Sequence, residues 1–169
     1  LPLRRYVGRG LGALCASSAS RALERVQLLQ ARNEEGESMI ERCGEIIEQA
    51  TKRCYTRARA SYFPVTITDW FGGRGHDFDC LDERANAAGG MLVIATSIPD
   101  AREWTQWKGR TARQDRPGQY VVLLSEAHEP FRSEPSLAGE LRALSSDGAI
   151  DALLARKDEA IRDSLKGFE

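Results

Sequence analysis

The sequence reads Gly89-Gly90-Met91-Leu92-Val93-Ile94-Ala95-Thr96 at its strongest predicted strand, where an unbroken apolar run follows a glycine pair. Two further runs are also predicted to be strands: the β-branched stretch Val65-Thr66-Ile67-Thr68 and the stretch from Gln119 to Leu124, which is apolar nearly throughout. Strands that are continuously apolar and alternate with helices are typical of a parallel sheet covered by helices on both faces. The sequence therefore predicts an α/β fold.

Apolar residues recur at helical spacing before, between and after these strands. Asp100 is placed to cap one helix, and Pro117-Gly118 would stop it. The predicted helices span residues 20–32, 37–58, 100 to about 113, 136–144 and 148–165. The last two follow a polar stretch beyond Ser125, so the sequence predicts a C-terminal helical extension.

The bulk composition narrows the classes of function. The chain has 169 residues, enough for one domain with a hydrophobic core, and its 24 basic and 25 acidic side chains give a net charge of −1. Proteins that coat nucleic acid usually carry a strong basic excess, so this balance argues against a nucleic-acid partner. The four cysteines lack C-x-x-C spacing, which argues against structural zinc. No apolar run approaches the roughly 18 residues that span a bilayer.

The first 23 residues have a composition of their own. They contain arginines at positions 4, 5, 9 and 21, no acidic residue and a Ser/Ala cluster at 16–20. This composition resembles an organelle transit peptide. The alternative is an ordinary helix and loop with a basic flank, and the composition leaves both open.

A glycine-rich turn follows the strand at 65–68 and reads Gly72-Gly73-Arg74-Gly75-His76-Asp77. Ligands of α/β proteins bind at the carboxyl ends of strands, and glycines let the backbone approach a ligand closely. Arg74 can meet a phosphate, and Asp77 can accept a hydrogen bond from a ribose hydroxyl. The turn is therefore a candidate nucleotide site, although glycine turns are common on their own.

A second candidate site is the Q-x-x-G-R-x-x-R string, which reads Gln106-Trp107-Lys108-Gly109-Arg110-Thr111-Ala112-Arg113. If the stretch is helical, Gln106, Arg110 and Arg113 fall on one face. Two guanidinium groups on one face can address a single anion, which is the layout of arginine fingers that stabilise a phosphoryl group during transfer.

These stretches together resemble the SecA preprotein translocase ATPase family. SecA proteins carry V-T-I-A-T-N-M-A-G-R-G-T-D-I where this chain has residues 65–78, and G-G-L-x-V-I-x-T where it has 89–96. They carry Q-L-R-G-R-S-G-R-Q-G-D-P-G where it has 106–118. The resemblance covers about residues 30–125 and concerns motifs V and VI of the family's second RecA-like domain.

The resemblance implies a RecA-like P-loop NTPase fold, in which a parallel sheet is flanked by helices. Residues 28–125 would form the second nucleotide-binding domain, 126–169 the helical extension, and 1–27 a basic N-terminal segment. It also implies roles for individual residues. Arg110 and Arg113 would reach the terminal phosphates of ATP as catalytic arginine fingers. The remaining nucleotide-binding residues would be Gly73, Arg74, Gly75, Asp77, Gln106 and Gly109.

The resemblance further implies ATP, with Mg²⁺ held mainly by a separate P-loop-bearing RecA-like domain, in the same longer chain or in another subunit. The sequence has no G-x-x-x-x-G-K-[ST], so we expect no ATP hydrolysis by this chain alone. The implied partners are a preprotein and a membrane translocation channel. The implied location is the cytoplasm, peripheral to the membrane, with the plastid stroma as the alternative.

Several positions depart from the family pattern. Asp69-Trp70 stands in place of Thr-Asn, His76 in place of Thr, Ala112 in place of Gly, and Asp115-Arg116 in place of Gly-Asp. These changes could weaken nucleotide binding or its coupling to a partner. Two alternatives therefore stay open: half of a nucleic-acid helicase motor, and a catalytically degenerate SecA-like interaction module.

Overall fold

A computed structural model describes residues 25–32 and 36–166 of the chain. We number its strands and helices in chain order. The strands are β1 (Val26–Leu29), β2 (Cys54–Tyr55), β3 (Ser61–Tyr62), β4 (Val65–Thr68), β5 (Met91–Ala95) and β6 (Gly118–Val122). The helices are α1 (Ile40–Ala50), α2 (Glu83–Ala87), α3 (Ala101–Lys108), α4 (Leu137–Arg142) and α5 (Ser146–Lys166), with a 3₁₀ helix at Trp70–Gly73.

The strands form short pairs. β1 runs parallel to β4, with Val26 opposite Val65 and Leu29 opposite Thr68. β2 and β3 form an antiparallel pair, and β5 lies beside β6. The α/β class is confirmed, and the architecture is consistent with a RecA-like fold, although the sheets are small.

The described residues fall into two compact units. The first contains the described part of Leu1–Met91 together with Ala112–Gly118, and the second contains Leu92–Thr111 together with the described part of Gln119–Glu169. The predicted domain boundaries at residues 27 and 125 stay predictions.

The core of the first unit lies on one face of the β1–β4 pair. Leu29 is fully buried and packs with Cys43 of α1 and with Phe78. The side-chain amide of Gln27 adds polar links on this side, donating to the carbonyl of Ile46 and to the hydroxyl of Thr66, each at 2.8 Å. α1 is thereby fixed against the strand pair.

The opposite face of the same strand pair is open within the described residues. Leu28 and Ile67 lie opposite each other in the register, and each is 52% exposed. Val65, on the same face, is 56% exposed. The sequence predicted a sheet covered on both faces, and the part of the chain that the structure describes covers this pair on one face only.

The core of the second unit depends on the C-terminal helices. Trp104 of α3 is buried beside Ala95 of β5 and Leu154 of α5, and its ring meets Tyr120 edge-on at 5.4 Å. A neighbouring cluster joins Leu153 of α5 to two further buried side chains, Phe131 and Leu137. The helices at 136–144 and 148–165 are therefore confirmed, and they complete a core instead of standing apart from it.

The helix predicted over residues 20–32 is wrong where the structure describes it, because Val26–Leu29 is a strand. Residues 20–24 lie outside the described part. The spacing of Leu23, Val26 and Leu29 fits a helix, but the backbone of this stretch pairs with β4, and pairing of this kind overrides local propensity.

Two other predicted helices end earlier than expected. The helix predicted to residue 58 ends at Ala50, where Thr51 turns the chain and donates its hydroxyl to the carbonyl of Asp79 at 3.0 Å. The helix predicted to about residue 113 ends at Lys108, capped by Gly109. Gln106, Arg110 and Arg113 therefore do not share one helical face, which corrects that expectation.

The register of β1 makes a direct prediction about stability. Leu29→Ala should lower the free energy of unfolding by about 2–5 kcal/mol, because it leaves a cavity in a closed core. Leu28→Ala is the matched control, since the same change on the open face should cost less than about 1 kcal/mol. Urea unfolding measures both, and equal losses would contradict the register.

Candidate functional site

The end of β4 folds tightly onto the glycine turn. The hydroxyl of Thr68 donates to the carbonyl of Leu29 at 2.6 Å and accepts from the amide of Gly72 at 3.1 Å. A Cβ on Gly72 would lie 2.4 Å from that hydroxyl oxygen, so only glycine fits there. One side chain thus joins the strand pair to the turn.

Asp69 and Trp70, which depart from the family pattern, have clear local roles. The Asp69 carboxylate caps the 3₁₀ helix by accepting from the amide of Phe71 at 2.8 Å. Trp70 is 67% exposed, so its ring does not fill the turn. The carboxylate that this departure introduces is thus engaged by a backbone amide.

The remainder of the turn is open to solvent. Gly73 is buried, whereas Arg74 and Gly75 are exposed. Gly75 has a φ of +71°, and a Cβ placed there would meet no atom within 4 Å. His76 is half-buried, with its ring packed edge-on against Phe71 at 4.7 Å. The open backbone at Gly75 is the part of the turn that a ligand could approach closely.

Two ion pairs connect the turn to the arginine loop, defined here as Ala112–Gly118. Arg113 Nε lies 3.0 Å from Asp77 Oδ1, and Arg116 forms an ion pair with Asp79. Phe78, between the two aspartates, is buried in the core of the first unit. The structure therefore brings together Arg113 and Asp77, two predicted site residues from distant parts of the sequence.

The other residues of the Q-x-x-G-R-x-x-R string lie in the second unit. Arg110 Nε donates to the carbonyl of Gln106 at 3.2 Å, across the end of α3. Gly109 caps the helix, whose last residue is Lys108. The string is divided between the units, since Arg113 belongs to the first and Gln106, Gly109 and Arg110 to the second.

The arginine loop has an unusual backbone. Ala112, Gln114 and Asp115 have φ values of +54°, +53° and +61°, in the left-handed region that favours glycine. Gly90 packs against the far end of the loop, where a Cβ would lie 1.8 Å from the carbonyl oxygen of Pro117. The family pattern has glycine at the position of Ala112, and the backbone found here explains why glycine suits it.

Sequence reasoning missed a charged recess on the first unit. It is lined by Arg53, Tyr55, Asp82, Glu83 and Arg84. The amide of Ala85 and the guanidinium of Arg53 lower the pKa of the Asp82 carboxyl. Asp82 before the short helix α2 is a recognisable capping signal in the sequence, whereas its pairing with Arg53 is a tertiary contact.

Two further features are absent from the described ranges. Within residues 25–32 and 36–166, no three His, Cys, Asp or Glu side chains are grouped so that they could hold a metal ion. Over the same residues, no helix has the length and apolarity needed to cross a bilayer.

Comparison with curated proteins identifies similar chains. Protein translocase subunit SecA 2 of Rhodopseudomonas palustris is 34% identical over 109 residues, covering 57% of this chain and 13% of that protein. Protein translocase subunit SecA 2 of Magnetococcus marinus is 36% identical over 94 residues, covering 54% and 14%. Protein translocase subunit SecA of Clostridium botulinum is 32% identical over 108 residues, covering 62% and 12%.

The similarity therefore spans more than half of this chain but only 12–14% of these relatives' length. No family model and no solved structure matches the chain.

The backbone at Ala112 predicts that an Ala→Gly substitution has opposite effects on the free energy of unfolding at two positions. Ala112→Gly should raise the free energy of unfolding by up to about 1 kcal/mol, because glycine relieves a left-handed conformation. Ala155→Gly, in the exposed middle of α5, should lower it by about 1 kcal/mol. Thermal and urea unfolding of both variants measure this, and a loss of stability in Ala112→Gly would contradict the observed loop.

Proposed function

We propose, from the premise that this chain is a diverged relative of SecA, that it supplies the second nucleotide-binding domain of a SecA-like protein translocation motor. The contact between Arg113 and Asp77 carries this proposal, because it joins the arginine string to the glycine turn. In the proposed motor a separate P-loop-bearing domain holds ATP, and this chain contributes Arg110 and Arg113.

The residues of the turn fit a phosphate-bearing ligand. Gly75 leaves open space next to its backbone, and Arg74 beside it is exposed. Arg113, paired with Asp77 two residues after Gly75, adds a second guanidinium beside the turn. Cationic and amide donors held in fixed positions stabilise developing negative charge without reorganising at the moment of reaction.

In this proposal the chain itself contributes little to holding Mg²⁺. Asp77 and Asp79 are engaged by Arg113 and Arg116, and the described residues group no set of acidic ligands. A bound Mg²⁺ would supply charge neutralisation at the phosphates. We therefore assign its ligands to the P-loop-bearing domain.

The mechanism follows from what these residues do. Arg113, beside the glycine turn, binds the terminal phosphates presented by the partner domain, so that phosphate charge draws that domain toward this chain. Loss of the terminal phosphate removes that attraction and lets the domains separate. Repeated closing and opening would move a preprotein through a membrane channel. In this proposal the motor works in the cytoplasm, peripheral to the membrane.

One observation favours a second candidate, a catalytically degenerate interaction module. Asp77, the proposed acceptor for a ribose hydroxyl, is already paired with Arg113. A site neutralised in this way could keep the fold and its partner contacts without binding nucleotide. The two candidates differ in whether Arg113 affects ATP turnover.

The decisive measurement is ATP turnover by the native assembly, purified through a tag on this chain. Arg113→Ala should lower kcat by about 10³-fold or more, as loss of an arginine finger does. Arg132→Ala is the matched control, because Arg132 is an exposed arginine paired only locally with Glu129. Equal turnover in the two variants would overturn the motor and favour the interaction module.

The purified chain alone should show no ATP turnover, because its sequence lacks a P-loop lysine. A phosphate-release assay on the isolated chain, with a P-loop ATPase as positive control, measures this. Turnover that co-purifies with the chain and is lost in Arg113→Ala would contradict the need for a partner domain.

A further inference from the structure

The arginine loop is held on the first unit at two places of different character. Arg113 reaches Asp77, whose side chain is 60% exposed and follows the open turn at Gly75. Arg116 reaches Asp79, and both of these side chains are less exposed, at 29% and 44%. The contact of Arg116 is therefore the better shielded of the two.

The backbone around Asp79 is fixed at two points. Phe78 before it is buried in the core of the first unit. The carbonyl of Asp79 itself accepts from the hydroxyl of Thr51, a buried residue at the end of α1. An ion pair to Asp79 thus ties the loop to a rigid part of the unit.

The loop transmits that restraint to Arg113 over a short distance. The amide of Arg116 donates to the carbonyl of Arg113 at 3.1 Å, which closes a single turn between them. Pro117, next to Arg116, lies against Gly90 so closely that a Cβ there would clash. Fixing Arg116 therefore fixes where the Arg113 side chain starts.

We propose that Arg116 and Asp79 form a positioning pair that anchors the arginine loop and holds Arg113 against Asp77, next to the glycine turn. Arg116 stands where the family pattern has aspartate, so this ion pair is a feature of this chain and is not part of the family pattern. An aspartate there would face Asp79 with like charge. The role of the pair in ATP turnover rests on the proposed function, whereas its effect on Arg113 does not.

The first test measures how readily phenylglyoxal modifies Arg113 in the full chain, by mass spectrometry of timed samples. Arg116→Asp and Asp79→Arg should each raise the rate of Arg113 modification at least about twofold, the scale of one exposed ion pair. The double variant, which combines Arg116→Asp with Asp79→Arg, should return the rate of Arg113 modification toward that of the original sequence. Arg132→Asp is the control and should leave the rate unchanged.

Arg116→Gln provides a second variant that adds no like-charge contact if Arg116→Asp does not fold. It should raise the Arg113 rate by a smaller factor, and Arg116→Lys should restore most of the protection. Unchanged Arg113 modification in Arg116→Gln, or no recovery in the double variant, would overturn the positioning pair.

The second test uses the native assembly and separates this proposal from the proposed function. Arg116→Gln should lower kcat for ATP several-fold with little change in KM, and Arg116→Lys should recover it. If phenylglyoxal shows the pair but Arg113→Ala leaves turnover unchanged, the positioning pair stands and the motor function fails. If Arg113→Ala abolishes turnover but Arg116→Gln affects neither assay, the motor stands and the positioning pair fails.

Discussion

The parallel register between β1 and β4 is the constraint on which the first unit depends. It places Leu29 inside and Leu28 outside, so that α1 can cover the strand pair from one side only. Because successive side chains of a strand point to opposite faces, a slip of one residue would expose the core. The hydrogen bonds of Gln27 to Ile46 and Thr66 reinforce the same register.

That register extends into the candidate site through one hydroxyl. Thr68, the last residue of β4, bonds both the carbonyl of Leu29 and the amide of Gly72. The turn therefore starts from a fixed point, and Phe78 returns the chain to the core that contains Leu29. Asp77 and Asp79, on either side of Phe78, then form ion pairs with the arginine loop. The site is thus built outward from the strand pair.

The structure shows what several of the residues that depart from the SecA pattern do in this chain. Asp69 caps a 3₁₀ helix, and Arg116 pairs with Asp79. Ala112 and Asp115, which both stand where the family pattern has glycine, keep a left-handed backbone conformation for which glycine is better suited. Two of these departures therefore have contacts that accommodate them. The backbone conformations of Ala112 and Asp115 are local costs, of the kind that persist where the surrounding contacts determine the backbone.

The sequence by itself determined the α/β class, the strands at β4, β5 and β6, the C-terminal helices and the two motifs, because these depend on local apolar periodicity and on local glycine patterns. Only the tertiary structure decided that Val26–Leu29 is a strand, since its partner lies far along the chain and its apolar spacing also fits a helix. The end of α3 at Lys108, the engagement of Asp77 by Arg113 and the anchoring of Arg116 on Asp79 were likewise decided by folding. Contacts between residues distant in sequence set all of these, and no local pattern records which distant side chain a charged residue will meet.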